Sequence, residues 1–201
     1  MKKIMTATLY LIALTLVFTA WTTSPKADEI TDSIDEALQN YKDGDYSDAV
    51  ANLNYASQLI QQKKGEDLKA LLPAPLKGWT AEDASSQAMG AAMLGGGVTA
   101  ERQYYKENSR INIQVVTDSP VLQGVMMMLS NPMFAASDGG KVQRINQQKA
   151  IVKYEAGRQS GSIQIVVANR FLVTIEGNDV AKEDLEAYAK AMDYKKMEAM
   201  P

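Results

Sequence analysis

Four runs of alternating residues near the C-terminus, Lys141 to Ile145, Lys149 to Glu155, Ser162 to Ala168 and Phe171 to Glu176, are separated only by "NQQ", "GRQSG" and "NR". A parallel crossover needs roughly a dozen residues or more, so connections this short force each run to pair antiparallel with its neighbour. In the last run Phe171, Val173 and Ile175 alternate with Leu172, Thr174 and Glu176, the period of a strand with two unlike faces. Upstream, residues 98–106 and 111–117 flank "ENSR". There Ile111, Ile113 and Val115 lie opposite Asn112 and Gln114, which reads as a hairpin with one wet side. The expectation is a mainly antiparallel sheet of about six strands.

Two helices interrupt and close this sheet. Ser119 and Pro120 have the chemistry of a cap and a first helical residue. Behind them Leu122, Val125, Met126, Leu129 and Met133 form one stripe, with Val121 and Met128 on one flank and Met127 and Phe134 on the other. The second helix is expected from Asn178 or Asp179 to about Met197, acidic at its start and basic at its end as the helix dipole favours. Its Ala181, Leu185, Tyr188, Ala189 and Met192 would cover one sheet face. The class is α+β and the order ββαββββα. With Gly78 and Trp79 opening the segment after Pro73 and Pro75, the order over residues 72–197 resembles the PsbP/Mog1 fold group at the level of topology. That resemblance implies an accessory, non-catalytic role on larger assemblies and identifies no site residue.

Ahead of the sheet, Ile30, Ile34, Ala37, Leu38 and Tyr41 keep helical spacing until "KDGDY", where Gly44 suits the left-handed end of a helix. The stripe restarts with Tyr46, Ala49, Val50, Leu53, Ala56 and Ile60 and is expected to stop at "KKG", residues 63–65. So short a turn makes an antiparallel helical hairpin. Through Gly44, Tyr46, Ala49, Leu53 and Ala56 the stretch "GDYSDAVANLNYA" resembles the second half of a tetratricopeptide repeat, with Ala37 at the small position of the first helix. The resemblance implies a packing surface for peptide or protein. A single copy lacks the neighbours with which such repeats bury a continuous core, so this one is expected to pack on its own domain or on another chain.

The N-terminus, "MKKIMTATLYLIALTLVFTAWTTSPKADE", places two lysines before an apolar stretch and has its first acid at Asp28, the layout of a signal peptide. Cleavage after Ala27 is expected; an uncleaved segment would instead anchor the chain. The expected organisation is 1–27 signal peptide, 28–65 hairpin, 66–77 linker and 78–201 sheet domain, in a protein that is periplasmic or secreted. Losing residues 1–27 takes Lys2, Lys3 and Lys26 from 21 basic residues and none of the 24 acidic ones, leaving 18 against 24, a net charge of −6. Attraction to nucleic acid or anionic lipid needs the opposite balance, so no nucleic-acid partner is expected, and a membrane only through the N-terminal segment.

There is no histidine and no cysteine. Ser/His and Cys/His relays are therefore excluded, as are disulfides and thiol-linked lipid. Ser160 in "GRQSG" stands one place too late for a nucleophile elbow, and no SxxK occurs. The glycines at 95–97 lack the Lys-Ser/Thr that completes a phosphate cradle, and "DGDYSD" has Asp48 and Asn54 where a calcium loop needs glycine and glutamate. No enzyme activity and no cofactor are expected. Consecutive helical residues diverge by about 100 degrees, so Met126, Met127 and Met128 cannot close on one ion. A Cu(I) site would require Met89 and Met93, four apart. Burial is the default for the methionine helix. The candidate contact residues are Met126, Met127, Met128, Met133 and Phe134, with Arg102, Tyr104 and Tyr105 of one strand as exposed contacts. The expected function is an exported binding or accessory module working through protein contacts. The alternatives are a carrier of an apolar small molecule in a Met-lined pocket and Cu(I) handling through thioethers.

Overall fold

The computed structural model describes residues 27–88, 97–137 and 139–200, and the chain divides into two compact units after Ala56. The expected leader and the pair Met89 and Met93 lie outside the described residues.

The first unit holds helix α1 (Ala27–Asp43) and the beginning of helix α2 (Tyr46–Lys69). Gly44, at φ +87°, ends α1: its N–H bonds the carbonyl of Tyr41, and the Asp45 N–H reaches back to the carbonyl of Asn40 at 2.8 Å. This is the glycine-centred helix stop that satisfies two otherwise orphaned carbonyls. Ala37, Ala49 and Ala56 are buried and form the seam between the helices, small residues that permit close approach.

The second unit is built on strands β1 (Thr80–Ala81), β2 (Ser85–Ala88), β3 (Val98–Lys106), β4 (Ser109–Thr117), β5 (Lys141–Ile145), β6 (Gln148–Glu155), β7 (Ser160–Val167) and β8 (Phe171–Asn178). They form one antiparallel sheet in the order β1-β3-β4-β8-β7-β6-β5, with β2 also pairing on the outer edge of β3. The sheet has eight strands where about six were expected, because two short polar segments add to the β3 edge. Helices α3 (Val121–Ser130) and α4 (Pro132–Ser137) stand between β4 and β5, and α5 (Lys182–Ala191) and α6 (Tyr194–Ala199) follow β8.

One sheet face carries the main core. Ala100, Tyr104, Ile111, Ile113, Val115, Ile163, Ile165, Val173 and Ile175 are fully buried there, beneath Leu185, Tyr188 and Ala189 of α5 and Met197 of α6. Tyr188 is its aromatic hub, 5.3 Å edge-on from Trp79 and 4.5 Å from Tyr104 by ring centroids. The expected cover by Leu185, Tyr188, Ala189 and Met192 is present, whereas Ala181 is an exposed, extended residue at the cap. The single terminal helix is two, broken at Met192 and Asp193; the Asp193 carboxylate restarts it by accepting the Lys196 N–H at 2.9 Å.

Two further expectations are corrected. Helix α2 does not stop at residues 63–65 but continues unbroken to Lys69, inside the segment 66–77. A side chain at Gly65 would sit 2.7 Å from Ser86 Oγ, so this glycine serves helix-to-strand approach instead of termination. Beyond it Leu68, Leu71 and Leu72 enter the main core. The methionine helix is likewise interrupted. Asn131 is extended (φ −128°, ψ 97°), as a residue before proline prefers, and α4 restarts at Pro132.

Candidate functional site

Alternation along β6, β7 and β8 sends Ile151, Val166 and Leu172 to the second sheet face, and α3 lies on them. Leu122, Val125 and Leu129 are its buried stripe, joined by Ala135 of α4. Ser119 Oγ accepts the Val121 N–H at 3.4 Å, so Pro120 occupies the cap position and the helix begins one residue later than the sequence implies.

The methionines divide according to the geometry of successive helical residues. Met126 and Met128 are half-buried against the small second core, and Met127 between them is 64% exposed. Met133 is 79% exposed and Phe134 52%. Burial, the default expectation, therefore fails for Met127, Met133 and Phe134. The extended residue Asn131 resets the helical phase, so Met133 leaves the stripe that spacing assigns it to. Val121 is exposed as well, on the opposite flank of α3, so the apolar ridge on the outer side of α3 and α4 consists of Met127, Met133 and Phe134.

The strand β3 candidates do not join this ridge, because β4, β8 and β7 stand between β3 and β6. Tyr104 is corrected outright: it is fully buried, its hydroxyl donates to the Pro73 carbonyl at 2.8 Å, and desolvation raises its pKa far above the usual phenol value. Arg102 is half-buried and acts as a clamp, Nε donating to the Glu82 carbonyl at 2.8 Å and Nη1 to the Pro73 carbonyl at 3.3 Å. Tyr105 points the other way, as alternation requires, and its hydroxyl donates to Glu82 Oε1 at 2.7 Å beneath the Arg110 guanidinium. The bond to Glu82 raises its pKa. All three residues hold the 73–82 segment against β3.

Beside the start of α3 lies an open groove of about 510 Å3, lined by Asp118, Ser119, Pro120, Leu122, Gln123, Met126, Asn169 and Arg170. Pro120, Leu122 and Met126 give this groove an apolar wall, and Asp118, Ser119, Gln123, Asn169 and Arg170 a polar one. Of the methionines named for an apolar carrier, Met126 lines this groove, and Met127, Met128 and Met133 do not. Asp118 has φ +57° and holds the Lys64 ammonium at 2.6 Å, a bond that lowers its carboxyl pKa. Among the described residues no group of three acidic side chains comes together as a metal site, and no helix is long and apolar enough to cross a membrane.

A second apolar surface lies on the hairpin and was read from the sequence as ordinary helical stripes. Ile34, Leu38 and Tyr41 of α1 and Tyr46, Val50 and Leu53 of α2 are all exposed. The signal that distinguishes them is the alanines. Ala37 and Ala49 mark the seam, which leaves the large residues on its shoulder. Compared with protein families, with characterised proteins and with solved structures, the chain matches none.

Proposed function

We propose that this chain is an exported, non-catalytic binding module that acts through protein contacts in the cell envelope. The observation that carries the reading is the ridge of Met127, Met133 and Phe134, large apolar side chains held in water on helices anchored to a sheet. Such side chains gain on contact with an apolar surface, and methionine adapts to an irregular one. The absence of histidine and cysteine supports a role in binding over one in catalysis, and the leader-like N-terminus supports export.

The test is a photo-crosslinking side chain placed singly at Met127, Met133 or Lys149 in cells, with Lys149 exposed on β6 as the control. Adducts with one protein species at the two methionine positions, absent at Lys149 and abolished by Phe134→Glu, are expected. Equal labelling at all three positions would count against the reading. N-terminal sequencing of the accumulated protein should begin at Asp28; an unprocessed chain in the cytoplasmic fraction would remove the export part.

A further inference from the structure

The hairpin turns its apolar residues in a repeated order. Ile34, Ala37, Leu38 and Tyr41 on α1 have the same offsets as Tyr46, Ala49, Val50 and Leu53 on α2: large, then alanine three residues on, then large at one and four further. At about 100 degrees per residue each set of large side chains falls within about 60 degrees, on the same shoulder of its alanine. Because the helices run antiparallel, both shoulders lie on one side of the hairpin. The Tyr41 and Tyr46 rings, 5.8 Å apart across the turn, lie together on that side. The opposite side is polar: Tyr55 donates to Glu29 at 2.6 Å and Asn52 to Glu36 at 3.4 Å. Glu29, Asp32, Glu36, Asp43 and Asp48 all fall there by the same angular reckoning.

From this we infer that the hairpin's apolar face binds the same face of a second copy, forming a two-fold dimer of four helices. Three observations select a second copy as the occupant. First, the face repeats one pattern on two antiparallel helices, so it has an internal pseudo-two-fold, and a symmetric partner meets matching side chains in either helix. The spacing of four and three residues on both helices is that of helices packed side by side. Second, the six side chains expose roughly 700 Å2, comparable to the roughly 800 Å2 per partner that a stable interface buries. Third, the acids of a net-negative chain are segregated to the opposite side, so two copies meet without opposing their charge. The charges at the apolar edge of α1 are Asp35 and Lys42, three residues before and four after Leu38. With the two-fold axis at Leu38, Asp35 of one copy opposes Lys42 of the other. None of this uses the α3–α4 ridge, so the two readings stand or fall separately.

The chain has no native cysteine, which makes the test direct. In protein purified from cells expressing the full chain, Leu38→Cys is expected to form a covalent dimer under mild oxidation. Gln39→Cys, on the polar side, is expected to stay uncrosslinked. Sedimentation equilibrium is expected to show a dimer whose dissociation constant rises at least about 100-fold in Leu38→Glu or Val50→Glu and is unchanged in Met127→Glu. Should the Glu variants lose helical signal, the edge charges decide. Asp35→Lys and Lys42→Asp are each expected to weaken the dimer about fivefold, and the double exchange to restore it. A wild-type chain monomeric at 100-fold dilution and at the highest soluble concentration alike overturns the inference, whether the face then covers its own sheet domain or another protein. A dimer indifferent to Leu38→Glu and Val50→Glu, or disrupted by Met127→Glu, or a double exchange that restores nothing, overturns it equally.

Discussion

The sheet domain and the hairpin treat large side chains in opposite ways. In the sheet domain Tyr104, Tyr188, Phe171, Leu185 and six isoleucines are buried almost completely, and among the described residues after Lys69 the large apolar side chains left exposed are Val121, Met127, Met133 and Phe134. In the hairpin the buried side chains are small, Ala37, Ala49, Ala56 and Ser33, while large tyrosine, leucine, isoleucine and valine side chains stay exposed. Hydrophobic burial is the main favourable contribution to folding, so the first region carries its stabilisation within itself, and the second leaves most of its own unrealised. A hairpin held by an alanine seam and one glycine turn has little cohesion to lose, and its exposed side chains are free to serve contact.

The largest expected effect breaks the comparison if it fails. Tyr188→Ala removes the ring between Trp79 and Tyr104 and the hydroxyl that accepts the Leu76 N–H at 3.3 Å, and should cost about 4 kcal/mol in denaturant unfolding. Leu53→Ala, on the exposed hairpin face, should change the unfolding free energy of the dissociated chain by less than about 1 kcal/mol. Comparable losses from the two would show that the hairpin face is covered within one molecule.

Glycine gives a finer contrast. A methyl group at Gly177 on β8 would come within 2.7 Å of Leu185 Cδ2, where α5 presses on the sheet, so Gly177→Ala should cost about 2 kcal/mol through overpacking. Gly44 has open space around it and a left-handed backbone, so Gly44→Ala should cost about 1 kcal/mol through conformation alone, read as lost helicity in the hairpin. A second substitution can separate the causes. Leu185→Ala should relieve part of the Gly177→Ala penalty, and no packing change should relieve that at Gly44.

How far these regions were legible depends on the range of the forces that shape them. Strands β3 to β8 follow from alternation and short connections because both are local properties, and the turn at Gly44 follows from one residue. Strands β1 and β2 carry no such pattern: "TA" and "SSQA" become strands only because the edge of β3 offers them partners. Gly65 looks like a helix stop until Ser86, far along the chain, is beside it. At the site, spacing alone carried Met133 onto a buried stripe, and the phase reset before Pro132 was the signal overlooked. The cluster of Arg102, Tyr104 and Tyr105 failed because adjacent strand residues face opposite ways, a period that assigns Tyr104 and Tyr105 to different faces at once. The exposed hairpin face was visible in the alanine spacing, yet a stripe read without its seam does not reveal which part of it is inside.

The smallest effect concerns the ion pair that ties α2 to the end of β4. The hydrogen bond from Lys64, at 2.6 Å, lowers the Asp118 pKa in the folded chain below its unfolded value, so ionised Asp118 favours folding. The contribution is fully present above the unfolded carboxyl pKa of about 3.9 and is lost as pH falls through the depressed folded value. Both side chains are more than 40% exposed, 43% for Lys64 and 47% for Asp118, so screening should hold the contribution near 0.5 kcal/mol. Lys64→Met should therefore raise the Asp118 carboxyl pKa, followed by carbon NMR, while lowering neutral-pH stability by only that amount. Added salt at roughly 1 M should shrink the wild-type depression, since the Debye length then falls to about 3 Å. An Asp118 pKa unmoved by the substitution would mean that the nearby Arg170 charge, and not the lysine, sets its electrostatics. In that case the end of α2 would be held chiefly by the packing of Gly65, Leu68, Leu71 and Leu72, tightening the contrast between a helix that begins in a loosely built hairpin and ends in a dense core.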